Sequence, residues 1–463
     1  MESWTLDITA GEFFLDFAWM GVLLIAGTWL RSKVPVLQKY LIPANLIAGT
    51  IGLLLGANLL GWIDLTTDRL GTYVYHLLAL LFIALGLRAP RDKIGLSSIK
   101  FGMIFLSVYL VQAVIGLIIA FLLFYTIMPE LFVGIGFLPP LAFGMNPGIA
   151  YSIGSNWEQF GFLNGGVVGL TFSAVGFLVA YTAGIALVRS GIRSGKAAFI
   201  DKGSEIPEDV RKGILSTPEA NSEEKITTSP ENIESLTFHI GLIGSTFILT
   251  YFVVKMMEMG LVYVGAENEI STLWSFHFIF AAMIALLVRR ILDETGSSRL
   301  IDDHTMTRCS NLFMDFMIVA SVAAISLVVV AHYWIPLLLI SVAVALATWA
   351  IILVMTKDAF SEFVFERYVA IFGNMTGTLQ SALVLLRIVD SGMKSPVSYN
   401  LVYGSGFALV FGFPLLLLIN APVHYFDDVT QGFWVVLFAL IAYLFIIAIA
   451  WFYLRNRSVD PGA

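Results

Sequence analysis

Two six-residue stretches decide the reading of this chain: Phe143-Gly-Met-Asn-Pro-Gly148 and Phe372-Gly-Asn-Met-Thr-Gly377. Both follow F-G-x-x-x-G with an Asn inside, and the second begins at 372 where the first begins at 143. Each lies within an apolar stretch, 131–156 and 365–388, that Gly, Pro, Asn and Thr interrupt. Such stretches make poor continuous helices. Proline has no N–H to donate and clashes with the preceding turn, and glycine loosens the backbone.

The sequence around them is far more regular. Of its 463 residues, 58% are hydrophobic and 13% are charged. Mean hydropathy is +0.87. A soluble domain carries about 25% charged residues, so a water-soluble enzyme is excluded first. A net charge of −7 gives no footprint for a nucleic-acid partner. One cysteine, Cys309, excludes a disulfide framework and a Cys-based metal cage. A bilayer core needs about 20 apolar residues per helix. Runs of that kind fall at 13–30, 44–62, 72–87, 101–128, 163–188, 237–256, 271–290, 310–331, 335–356, 398–420 and 432–454. The expected class is an all-α multi-pass membrane protein with about 11 crossings.

The N-terminus does not read as a cleavable signal, because Glu2, Asp7 and Glu12 stand where a basic region would be required. The long polar stretch, 189–235, reads as a cytoplasmic linker, with room for a short helix at Thr217-Pro218-Glu219. Charge then tests the count. With the N-terminus outside, the runs crossing and both broken stretches re-entrant, inside loops hold every Lys and Arg except Arg69 and Lys255. These include Lys33, Arg88, Arg91, Lys93, Lys100, Arg289, Arg367, Arg387, Arg455 and Arg457. That is the positive-inside bias. A full crossing at the first broken stretch would invert every later loop.

The spans flanking one broken stretch pair with those flanking the other at similar offsets. The chain therefore divides into a first unit, 1–188, the linker, a second unit, 236–420, and an extra C-terminal span and tail, 421–463. Five crossings per unit is an odd number, so the second unit inserts upside down. This is the plan of two inverted-topology repeats, each with a re-entrant hairpin, found in secondary transporters. Irregular backbone at membrane depth is tolerated only where protein or a watery cavity surrounds it. The two hairpin tips thus point to an enclosed polar site.

The chain also resembles the bacterial sodium–glutamate symporters and, more distantly, the 2-hydroxycarboxylate transporters. The likeness is carried by Lys33, Val36-Leu37-Gln38-Lys39-Tyr40, Ile42-Pro43 and Ala48-Gly49. It continues through Phe82-Ile83-Ala84-Leu85-Gly86-Leu87, and through Gly144 to Ser152 with Glu158, Phe160, Gly161 and Phe162. It runs to about residue 422. Family members carry a Gly-Gly-His-Gly-Thr-like hairpin where Gly144-Met-Asn-Pro-Gly148 stands here. The resemblance implies an elevator-type, sodium-coupled importer of glutamate or a similar acidic amino acid, a homodimer in the cell membrane. A proton-coupled or uncoupled carrier of another small carboxylate is the alternative.

Hard oxygens suit sodium, and unwound backbone supplies them. Gly144, Asn146, Gly373, Asn374 and Thr376 are the candidate cation residues. Asn146, Gly148, Asn374, Thr378, Gln380, Ser381 and Arg387 are the candidate substrate residues. The rival account is that the Thr, Ser and Asn side chains only satisfy backbone groups freed by the break. Arg387 sits inside an apolar run and offers a fork suited to a carboxylate. Its rival roles are snorkelling or a pair with Asp390. Glu158 is set either to meet a substrate ammonium or a cation, or to sit exposed on the rim. Asp315 is a cation or proton candidate, with a helix-start carboxylate as the blander account. His76, His239 and His277 have no metal spacing. No His–Glu–His spacing, no Ser with a His or Lys base, and no G-x-x-x-x-G-K-[ST] loop occurs, so an intramembrane enzyme and a primary pump are not expected.

Overall fold

The computed structural model describes residues 9–88, 95–203, 206, 208–214, 227–229, 231–390 and 392–455. Among these every regular element is helical. Fourteen α-helices have ten or more residues: α1 (Ala10–Lys33), α2 (Ala44–Leu55), α3 (Thr67–Gly86), α4 (Leu96–Thr126), α5 (Pro147–Asn156), α6 (Gly165–Ser194), α7 (Ser235–Tyr263), α8 (His277–Glu294), α9 (Asp303–Ala323), α10 (Trp334–Ala359), α11 (Val364–Thr376), α12 (Leu379–Val389), α13 (Val397–Tyr425) and α14 (Val429–Arg455). Eight of them, α1, α3, α4, α6, α7, α10, α13 and α14, are long and apolar enough to cross a membrane.

The other three expected spans take shorter or interrupted forms. The run 44–62 stays helical only to Leu55, because the chain turns at Gly56. The run 271–290 is split at Phe276 between a short helix, Ile270–Ser275, and α8. The run 310–331 belongs to α9, which starts earlier, at Asp303, and ends at Ala323. The polar linker begins later than 189, since α6 stays helical to Ser194. The proposed helix at 217–219, and the charges Arg91, Lys93 and Arg457, lie outside the described residues.

Large apolar side chains are exposed along α1 (Phe14, Ile25, Trp29), α7 (Ile248, Phe252, Met256) and α14 (Phe445, Ile446). In water such surface is a liability. Against lipid it costs nothing, and the helices suit a chain embedded in a membrane. Apolar side chains on opposite faces of α4 are covered as well, so that helix is a core element.

The helices sort into two layers. In one, α9 lies against α2 and α3, α8 against α3 and α7, and α1 against α2. In the other, α4 lies against α10, α13 and α14, and α6 against α5, α11 and α12. The layers meet where α3 and α9 touch α5, and where α9 touches α6. Both broken stretches belong to the second layer and reach this seam.

Candidate functional site

Both stretches break where the residues predict. The first runs as a 3-10 turn, Val133–Phe137, then a wide π turn, Pro140–Met145, and becomes extended at Asn146 (φ −168°, ψ 164°) before α5 begins at Pro147. Proline is well placed there, since the first helical N–H has no partner inside the helix. The stretch leaves near where it entered, with Phe132 stacked on Phe162 at 4.8 Å and 5.9 Å from Trp157. The second stretch is a helical hairpin, α11 and α12, broken at Gly377 and Thr378. Its arms are close enough that a Cβ on Gly373 would stand 2.8 Å from the Ala382 Cα.

The two tips meet. A Cβ on Gly176 of α6 would stand 2.7 Å from the Thr376 carbonyl and 3.0 Å from the Phe143 ring, so both tips close on the same face of this glycine. Gln112, in the otherwise apolar α4, donates through Nε2 to the Met375 carbonyl (3.0 Å) and to Thr348 Oγ1 (2.9 Å). Tyr109, one turn earlier, donates its phenol to the Gly144 carbonyl at 3.1 Å. Thus α4 holds the first tip through Tyr109 and the second through Gln112.

The predicted cation residues are all buried or nearly so at these tips. Gly144 lies flat against the Tyr109 ring. Asn146 is 5% exposed, and its Oδ1 accepts the Ile149 N–H at 3.0 Å, capping α5. Gly373 carries the close packing just described. Asn374 is buried. Thr376 donates its hydroxyl to the Phe372 carbonyl at 2.7 Å, so its side chain serves the helix and only its carbonyl faces Gly176.

Among the predicted substrate residues, Gly148 packs on Leu78 and on the Met317 sulfur. Thr378 is 1% exposed, and its Oγ1 has no hydrogen-bond partner among the described residues. Gln380 donates through Nε2 to Asp315 Oδ1 at 3.3 Å. Ser381 is buried beside the Tyr181 phenol of α6. Arg387 is not at the tips. It is exposed, in the last turn of α12, roughly 12 Å along the axis from Leu379 at about 1.5 Å per residue. It makes no pair with Asp390, whose carboxylate accepts the N–H groups of Lys394 and Ser395 and the Ser395 hydroxyl.

The helix-start account of Asp315 does not hold. Helix α9 begins at Asp303, and Asp302 caps it by accepting the Thr305 N–H at 2.8 Å. Asp315 therefore lies three turns in, out of reach of the N-terminal dipole. Its Oδ1 accepts from Asn45 Nδ2 at 2.8 Å as well as from Gln380. Asn45 belongs to α2 and was not among the residues singled out in the sequence. Gln112 carried a signal that went unused: it is an uncompensated amide in a long apolar run.

The remaining candidates are structural. Glu158 is exposed and accepts the Gly166 N–H at 3.1 Å. His277 lies between the carbonyls of Trp274 and Tyr75, both at 3.0 Å, and His239 accepts the Asp302 N–H at 2.8 Å. Lys255 pairs with Glu258 at 2.8 Å. Among the described residues no three His, Cys, Asp or Glu side chains gather as a metal cage.

Compared with models of known protein families, with curated proteins and with solved structures, the chain matches none.

Proposed function

We propose that this chain is a sodium-coupled secondary transporter of glutamate or a similar acidic amino acid, built as two inverted repeats with one added C-terminal span. The observation that carries the reading is the meeting of two broken helices over Gly176. Each break leaves a half-helix start, at Asn146 and at Thr378, buried in the bundle. Helix starts present unpaired N–H groups and the positive end of a dipole, which favour an anion. The Thr376 carbonyl at the end of α11, beyond which the helix is broken, supplies an oxygen for a cation.

The layering supports the repeat. The first layer takes α1, α2 and α3 from the first unit and α7, α8 and α9 from the second. The second layer takes α4, the first hairpin and α6 from one unit, and α10, the second hairpin and α13 from the other. Each unit is thus divided at the same point, and both hairpins fall in the layer that would move. The first layer would serve as scaffold and homodimer contact.

The test is a thermal melt of the purified protein with glutamate, aspartate, citrate and malate, each in sodium or choline chloride. A ligand that binds only the folded form raises apparent stability. Glutamate is expected to raise the melting temperature in sodium and not in choline. A rise with citrate alone would move the cargo to the hydroxy acids. No rise with any of the four would sink the reading.

A further inference from the structure

We infer that Asp315 holds a gating cation, a single positive charge, sodium or proton, that neutralises its carboxylate at the seam between the two layers. The inference rests on the transport reading for its purpose, but its site stands on geometry.

Asp315 is mostly covered, and its two recorded partners, the side-chain amides of Asn45 and Gln380, both donate to Oδ1. Both are neutral. Among the described residues no Lys, Arg or His makes an ion pair with it, and Oδ2 accepts no hydrogen bond. The Tyr181 phenol of α6 lies on the same side of the seam. Arg31 of α1 is also beside Tyr181, and its guanidinium donates to the Val210 carbonyl at 2.9 Å. An ionised carboxylate taken out of water costs several kcal/mol unless a positive charge compensates it. Asp315 has neutral donors on one oxygen and no described protein donor on the other. That arrangement calls for a cation.

Oxygens are at hand. Thr378, two residues before Gln380, has a buried hydroxyl with no partner, and the Gln380 amide oxygen is on the same turn. Asp315 Oδ2 and the amide oxygen of Gln380, whose side chain reaches Asp315, are hard donors of the kind a small cation takes.

The position explains gating. Asn45 and Asp315 belong to one layer and Gln380 to the other. If the hairpin moves while Asp315 is bare, the carboxylate loses one of its two donors and is left more exposed to the apolar seam. With a cation in place, the same movement uncovers no net charge. Movement of the second layer is therefore permitted when the ion is aboard, and the substrate travels with it.

The experiment is a melt of the full chain in detergent without substrate, for the wild type and Asp315→Asn. One arm titrates sodium against choline at pH 8, and the other lowers the pH from 8 to 5 without sodium. For the wild type, a rise in melting temperature is expected in one arm, and the arm names the ion. Asp315→Asn is expected to melt cooperatively and to lose that rise. An undiminished rise in the variant, or no rise in the wild type in either arm, overturns the proposal. Should Asp315→Asn fail to fold, Asp315→Glu keeps the charge on a longer arm. It is expected to move the ion midpoint by about tenfold, roughly 1.4 kcal/mol, and an unmoved midpoint overturns the proposal. An ion effect at Asp315 with no response to acidic amino acids would leave this site intact and remove the cargo reading. Sodium-dependent glutamate stabilisation that survives Asp315→Asn would do the reverse.

Discussion

The two hairpin tips carry similar sequences and are satisfied differently. The first is closed on itself. Asn146 caps its own half-helix, and the Gly144 carbonyl is taken by Tyr109. The second is left open. Thr378 begins α12 without capping it, its hydroxyl is unpartnered, and Gln380 reaches out of the hairpin to Asp315. A buried hydroxyl without a partner is a standing cost of about 1–3 kcal/mol. A protein keeps such a group where a ligand completes it. The contrast leaves the second tip the more open of the two.

The contrast is broken most severely at the glycine between them. Gly176→Leu would drive a side chain into both the Thr376 carbonyl and the Phe143 ring. Overpacking of that kind costs about 1–3 kcal/mol, and glutamate uptake in vesicles is expected to vanish along with a lower melting temperature. A smaller effect separates the tips. Thr378→Val keeps the shape and removes the hydroxyl. It is expected to cut uptake about tenfold, equivalent to about 1.4 kcal/mol, with the apo protein as stable as the wild type or slightly more so. An apo protein clearly destabilised by Thr378→Val would mean the hydroxyl serves the fold.

At the first tip the balance inverts. Asn146→Ala removes a cap worth about 1 kcal/mol, and denaturant or thermal melts are expected to show that loss while ion-dependent stabilisation persists. The smallest effect is expected at Arg387→Ala, which sequence reading alone makes a loss of uptake. Exposed and at the far end of α12 from the tip, Arg387 is expected to leave uptake within about twofold, as for a surface substitution. Abolished uptake with a normal melting temperature would return it to the site.

The breaks themselves were legible, because Asn-Pro-Gly and the second Gly-Asn-Met-Thr-Gly run act locally on the backbone. So was the membrane class, which follows from composition. The depth of Asp315 was not. The charged run Asp302, Asp303, His304 and Arg308 reads as loop, yet the helix already starts at Asp303, so a carboxylate three turns in was taken for one at the start. Asn45 and Gln112 were missed for another reason. Their partners, Asp315 and Met375, are brought to them by layer packing from hundreds of residues away, and no local pattern records such a meeting. Of the two accounts of Arg387, its exposed place at the end of α12 away from the tip fits snorkelling better, because its reach depends on which end of α12 carries the tip contacts.

Helix α14 has a mechanical consequence. Near one end, Trp434 stacks on Phe121 of α4 at 4.1 Å and donates to the Tyr125 hydroxyl at 3.1 Å. At the other, Lys100 of α4 donates to the Arg455 carbonyl at 3.1 Å, and Arg455 pairs with Asp358 of α10 at 2.9 Å. Phe433 also packs on Phe132 and Phe137 beside the first hairpin. Helix α4 is therefore splinted near both ends by α14, and it cannot bend or tilt alone. Any stroke that carries Tyr109 and Gln112, and with them both tips, must carry the last helix as part of the same beam.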